Sequence, residues 1–317
     1  MLTFSIGKAK RVYATTFSPS GRLLAAVGVN RVHVWDTLTG DVRKGPAVAE
    51  TSSGYSLEFI DESRLLLAGT DFRVWDLAAD TWQVLMTGMR YFRQIARSPD
   101  GRCLAEVDYT SSTEWGGAAG LALYDVETGQ LLPAPPEAPN TTGGLAFSPD
   151  GRFLATGHIV RVGEKIRHIG LLNMDYPVND YDYVVRVREM PGGRVIATIP
   201  GWGQGVRYLS FSPDGKQLVG TAGPRLRVWD LAADREVAVQ KRGPKHFQGL
   251  VFTADGRHLA TVSNDTTVRI WDAETWAERT TYTWAVGALL NIALAPDGLR
   301  AAAGSDRGKV VVWDMDV

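Results

Sequence analysis

Between residues 173 and 185 the chain reads NMDYPVNDYDYVV, three tyrosines interleaved with three aspartates. Rings with a polar edge give large contact area at low entropic cost, and carboxylates beside them favour a basic ligand, so this stretch suits recognition better than bond-making. Groups able to make or break bonds are sparse elsewhere. The five histidines, His33, His158, His168, His246 and His258, show no metal-ligand spacing. His158 and His168 share one stretch with Glu164 and Asp175, which leaves a metal site there as the minor alternative to solvated loop histidines. No Gly-x-Ser-x-Gly elbow occurs, and the single cysteine, Cys103, sits in an apolar run where it reads as a small buried hydrophobe. PGWGQG at 200–205 lacks the Lys-Ser/Thr pair and the following helix that would hold phosphate, so it reads as a flexible connector. No catalytic set, cofactor or metal is expected.

Composition narrows the partners. Lysine and arginine number 34 against 35 acidic residues, a net charge of -1, so no global field draws the chain onto nucleic acid or an anionic membrane. One cysteine makes no internal disulfide, and MLTFSI followed by Lys8, Lys10 and Arg11 is not a secretory signal, which points to the cytoplasm. No apolar run reaches the roughly eighteen residues that cross a bilayer. Phrases such as VWDLAAD and GRLLAA, heavy in Ala, Arg and Gly, suggest a GC-rich bacterial coding sequence. The chain is read either as complete or as one module of a larger receptor or kinase.

Whatever these residues do, a repeat must position them. FSPSGRLLAAVG at 17 recurs as ARSPDGRCLAEV at 96, FSPDGRFLATG at 147, FSPDGKQLVGT at 211, FTADGRHLATV at 252 and LAPDGLRAAAG at 294, with a weaker FIDESRLLLAG at 59. Each copy is followed by a β-rich run ending in Trp-Asp or a relative, at Trp35, Trp75, Tyr124, Arg188, Trp229, Trp271 and Trp313. The intervals are 40, 49, 64, 41, 42 and 42 residues, so the third and fourth units are oversized. Period-two alternation, Val32 and Val34 against His33 and Trp35, marks strands. In Ser-Pro-Asp-Gly the proline presets φ, the aspartate bonds the turn backbone and the glycine is free to take φ > 0, which makes a tight hairpin between strands a and b. About four short strands per unit of roughly forty residues is the signature of a β-propeller blade.

On these seven phased copies the whole chain resembles the WD-repeat family of β-propellers. The resemblance implies a single all-β domain over residues 1–317, a ring of seven four-stranded antiparallel blades. It also implies a rigid, non-enzymatic platform for proteins or peptides. Only MDV follows Trp313-Asp314, too little for an outer strand, so residues 2–6 are expected to pair into the last blade and close the ring. The family's polar network survives mainly in the sixth unit, at Thr261, Asp265 and Trp271, with Gly243 at the matching histidine position. Apolar packing is expected to hold the other blades together. His33, Arg73, Arg186, Arg227 and Arg269, two residues before their landmarks, are expected to lie along the landmark rings.

A meander a-b-c-d places the b–c and d–a connections on one face and the a–b and c–d turns on the other. Both oversized units carry their extra residues between b and c, at about 107–119 and 158–183. One sector of that face should then gather Tyr109, Trp115, Asp175, Tyr176, Asp180, Tyr181, Tyr183 and Trp202, with Asp108, Glu114 and Asp182 among them. That surface is the expected contact for a protein or peptide, a basic one on its charge; some of the tyrosines could instead fold the insertion back onto the ring. Making RHIGLLNMD strand c would move 175–193 to the opposite face. The competing site is the channel mouth, where Tyr13, Tyr55, Arg93, Arg207 and Gln248 (with Gly143 and Leu290) hold the first exposed position of strand a and suit an extended peptide or an anionic group; the competing class is a small-ligand binder or an enzyme that uses this mouth. The chain is expected to be monomeric by itself or part of a larger assembly.

Overall fold

A computed structural model describes residues 1–7, 11–29, 31–48, 55–69, 71–87, 92–109, 119–133, 141–169, 174–241 and 245–315. Alternating apolar residues make the repeat fold as strands, and each unit becomes one antiparallel blade. Blade one runs Val12–Phe17, Leu23–Gly28, Arg31–Asp36 and Val42–Ala47 from the axis outward. Blades two to six follow the same order, with innermost strands Ser56–Phe59, Phe92–Arg97, Thr141–Phe147, Tyr208–Phe211 and Phe247–Phe252. Blade seven has Leu289–Leu294, Arg300–Ser305 and Lys309–Asp314, and its outermost strand is Leu2–Ser5 from the opposite end of the chain. Phe4 sits opposite Val310 in register, and the Ile6 amide donates to the Gly308 carbonyl at 3.1 Å. The expected closure is therefore present. Strand Val12–Phe17 packs between Ser56–Phe59 and Leu289–Leu294, which completes the ring of seven blades.

The a–b hairpins explain why the motif is spelled Ser-Pro-Asp-Gly. Ser148 Oγ donates to Asp150 Oδ1 at 2.6 Å while the same oxygen accepts from the Arg152 amide at 3.0 Å, and Gly151 takes φ 72°. The arrangement repeats at Ser212, Asp214 and Gly215, and at Thr253, Asp255 and Gly256. Each hydroxyl and backbone amide also holds its aspartate below the ordinary carboxylate range. These turns spend their polar atoms on themselves.

The cores between blades are apolar, as expected, but polar bridges also cross the seams, such as Arg300 Nη1 to Thr37 Oγ1 and Thr15 Oγ1 to Asn291 Oδ1, each at 2.8 Å between blades seven and one. Each described core cluster joins two neighbouring blades; Val27 and Val34, for example, meet Leu57, Leu67 and Trp75 between blades one and two. Trp271, fully buried, donates from Nε1 to Thr261 Oγ1 at 2.9 Å, whereas Asp265 holds Thr267 and Arg269 instead of the ring. His33 stacks on Trp35 at 5.6 Å and 13°. The arginines depart from expectation: Arg73 pairs with Asp71, Arg269 with Asp265, and Arg227 covers a tryptophan other than its own landmark.

The oversized fourth unit is a long two-stranded ribbon and not a loop. Strands Phe153–Ile169 and Met174–Glu189 stay paired from Phe153↔Glu189 to Ile169↔Met174, with one irregularity between Arg161 and Gly163. VVRVRE is strand c, because Val185 and Val187 also pair with Ile199 and Ala197 of the outermost strand. The alternative with RHIGLLNMD as strand c is excluded, and the insertion projects on the b–c face. In blade three, strand Cys103–Tyr109 extends to the pair Tyr109↔Ala119, and Ala119 also faces Thr141 of blade four, so the two blades share one continuous sheet.

Candidate functional site

Strand direction puts the blade-four ribbon and the connection through residues 200–207 on the b–c and d–a face. The base of the blade-four ribbon is anchored there by backbone. Asp182 accepts from the Tyr183 amide at 2.8 Å and the Gly201 amide at 3.3 Å, and the Trp202 amide donates to the Tyr183 carbonyl at 3.1 Å. Tyr183 packs, half-buried, against the cluster that joins blades four and five. It does what a folded-back insertion residue does.

Trp202 corrects the sequence reading. It is 1 % exposed, its Nε1 donates to the Ile199 carbonyl at 3.1 Å, and the Arg227 guanidinium lies 4.7 Å over its ring. Glycines hid this role. Gly201 and Gly203 at φ 78° and 66° turn the chain inward, and Gly220 leaves the space the ring fills. PGWGQG is thus a core plug and not a flexible connector, and Trp202 leaves the partner-contact set.

Farther out, the ribbon places Asp175 opposite His168, Tyr176 opposite Arg167, Asp180 opposite Gly163 and Tyr181 opposite Arg161. Tyr181 is 49 % exposed. The side chains of Tyr109, Asp175 and Tyr176, and residue Trp115 with Glu114, lie outside the described residues; the backbone sets Tyr109 on the adjacent blade's extension. His158 is a second correction: it is fully buried, with Nε2 2.7 Å from Thr156 Oγ1, and not a solvated loop histidine. Among the described residues no group of His, Cys, Asp and Glu has the proximity of a metal site. Burial pushes the Cys103 thiol up to about 11, so it stays protonated and un-nucleophilic at neutral pH.

The channel mouth holds a cavity of about 550 Å³. Tyr13, Arg207 and Gln248 line it as the sequence suggested. Tyr55 instead belongs to the packed wall, 7 % exposed and edge-on to Tyr13 at 6.0 Å, while the Arg93 side chain lies outside the described residues. Six lining residues escaped the sequence reading, Val12 and Ala288 and the polar Arg11, His246, Asn264 and Asp306. Asn264 Oδ1 accepts from the His246 amide and Asp306 Oδ1 from the Ala288 amide, each at 2.9 Å. Thus a b–c turn side chain clamps the d–a connection of its own blade, and the cavity wall is preorganised. The signal was readable: Ser-Asn-Asp at 263–265 and Ser-Asp-Arg at 305–307 occupy the same repeat position.

Deeper in the channel stands Glu58. Protein crowded around it pushes its carboxyl up to about 7, against the pull of Arg97 at 3.9 Å, although solvent in the channel still reaches 32 % of the side chain. Arg97 is turned away from a purely ionic role, donating to the Phe59, Ile60 and Gly101 carbonyls. A lone carboxyl beside an arginine used for backbone bonding can titrate but does not form an acid and base pair.

Fold and face together define a closed seven-bladed β-propeller whose variable surface is the b–c and d–a side. A family model described as "WD domain, G-beta repeat" matches residues 193–230 and 242–272, which cover the tryptophans of blades five and six. With all seven blades in place, the chain belongs to the WD-repeat β-propellers. It is similar to WD repeat-containing protein SL1-17 of Schistosoma mansoni, 31 % identical over 153 residues, 48 % of this chain and 43 % of that protein. It is also similar to Target of rapamycin complex subunit wat1 of Schizosaccharomyces pombe, 26 % identical over 137 residues, 43 % of each. Telomerase protein component 1 of Rattus norvegicus aligns over 92 % of this chain at 24 % identity but only 10 % of its own length. In all three the matched stretch spans less than half of the relative.

Proposed function

We propose that this chain is a non-enzymatic protein-interaction module that engages its partner through the b–c and d–a face. One observation carries the reading: the ribbon of blade four and the channel-mouth cavity both open on that face, while the opposite face repeats turns whose serines, aspartates and amides already bond one another. A surface that varies from blade to blade can specify a partner; one that repeats offers the same contact everywhere. The Schizosaccharomyces pombe relative, named as a subunit of a complex, agrees with this reading. The contact residues retained are Tyr109, Trp115, Asp175, Tyr176, Asp180 and Tyr181 on the insertions, with Tyr13, Arg207 and Gln248 at the channel mouth. On the ribbon the charge argument for a basic partner rests on Asp175, Asp180 and Asp182, the last of which keeps its charge while it accepts from two backbone amides.

Cross-linking and affinity capture with the intact chain test this. Alanine at Trp115, Tyr176 and Tyr181 should diminish capture, whereas alanine at Leu38 and Leu299, exposed on the opposite face, should not. Capture that depends on Leu38 and Leu299 and ignores the first set would remove the proposal.

A further inference from the structure

The variable face is divided by charge, and its channel-mouth half is basic. Arg11 and Arg207, both exposed, line the cavity. On the same face of blades one and five to seven stand Arg31, Arg225 and Arg307 at or beside b–c turns, and Lys241 and Lys245 flanking the connection from blade five to six; all are exposed. Among the described residues none of these seven cations joins an ion pair; the arginines that do, such as Arg227 and Arg269, lie lower on their blades. The carboxylates of the same sector are already engaged, Asp265 with Thr267 and Arg269, and Asp306 with the Ala288 amide. The seven cations outnumber these two carboxylates, of which Asp265 is ion-paired and Asp306 keeps its charge, so the mouth of the low-dielectric cavity still concentrates a positive potential although the chain as a whole carries -1.

We infer that the channel mouth takes a short, extended, acidic peptide segment of a protein partner, one or two of its carboxylates meeting Arg11 and Arg207. This rests on the protein-interaction reading above and specifies its chemistry at the second site. Three features favour peptide over polynucleotide. The cavity wall is apolar as well as basic, with the half-buried Tyr13 and Leu290 able to cover an aliphatic side chain. Gln248 and the Asn264 amide can pair with a main chain. Its volume is within the usual range for a site that encloses a few side chains. A long polyanion crossing the face would also meet Asp180 and Asp182 on the blade-four side, whereas a short segment need not leave the basic sector.

Fluorescence anisotropy tests this with a labelled peptide in which glutamates alternate with leucine and alanine, a twin with glutamine in place of glutamate, a single-stranded oligonucleotide and anionic phosphatidylserine vesicles. The glutamate peptide should bind the intact chain at least about tenfold more tightly than its twin, and weaken as salt rises. Arg11→Glu with Arg207→Glu should abolish the preference, and Arg11→Gln with Arg207→Gln should reduce it, with melting curves unchanged. Equal binding of the two peptides, tighter binding of the oligonucleotide or vesicles, or full binding by the charge-reversed variant would each overturn the inference. Partner capture that still depends on Tyr181 in that case would leave the broader face assignment standing.

Discussion

Replacing Trp202 with alanine separates a surface contact from a structural plug. If the indole were an exposed contact, its removal would change stability by no more than about 0.5 kcal/mol and would act on binding alone. The structure requires the opposite. The ring is 1 % exposed within the cluster of Val185, Ile199, Leu209 and Ala222, so truncation loses burial and leaves a cavity, costing about 3–5 kcal/mol. With about 2.1 cal/mol/K of unfolding entropy per residue over 317 residues, that lowers the melting temperature by roughly 5–8 °C. The partner position supplies an internal check. A Cβ on Gly220 would stand 2.6 Å from Trp202 Cη2 and 2.7 Å from Leu209 Cδ2, so Gly220→Ala should cost about 1–3 kcal/mol by overpacking. In the Trp202→Ala background the ring is gone and the added methyl finds space, so the double variant should be more stable than the two single losses added together. Urea denaturation of the four proteins measures the coupling. A Trp202→Ala midpoint equal to that of the parent, or strict additivity with Gly220→Ala, would refute the packing argument.

Two further outcomes follow from the ring and its channel. Deleting residues 1–8 removes the Phe4 ring stacked 5.1 Å from Trp35, the buried Ile6 and the pairing along Val310–Val312, so about 3–6 kcal/mol and several degrees of melting temperature should be lost; an unchanged scan would contradict closure by this strand. Glu58 titrates in the fold at about 7 against an ordinary 4.5, so the folded state holds a proton that the unfolded chain releases. Stability is therefore greatest below pH ~4.5 with respect to this group and declines as pH rises through about 7. Glu58→Gln should thus stabilise the protein at pH 8 more than at pH 5, by on the order of 1 kcal/mol once channel water is allowed for, read as the pH dependence of the difference in melting temperature. A difference that stays constant with pH would show that the carboxyl is not strained by its surroundings.

The ring itself was legible in the chain. A propeller repeats one local problem, and Ser-Pro-Asp-Gly turns with Trp-Asp strand ends solve it with residues a few positions apart, so blade number, strand order and the b–c location of both insertions follow from spacing. Leu2 to Ile6 could be matched to the last blade because one strand was missing there and one was left over.

What the chain alone left undecided are contacts between units, where sequence distance carries no information. Trp202 and NMDYPVNDYDYVV look alike as aromatic, glycine-flanked or acidic stretches. Only the approach of Gly220 and Arg227 from blade five turns one into core, while pairing with 161–169 carries residues 174–181 of the other away from the ring. His158 is buried for the same reason, its strand continuing straight where a loop was expected. The channel-mouth cavity is likewise a tertiary product. Arg11, Arg207 and Asp306 come from three blades, and only closure of the ring brings residues from both ends of the chain to one opening.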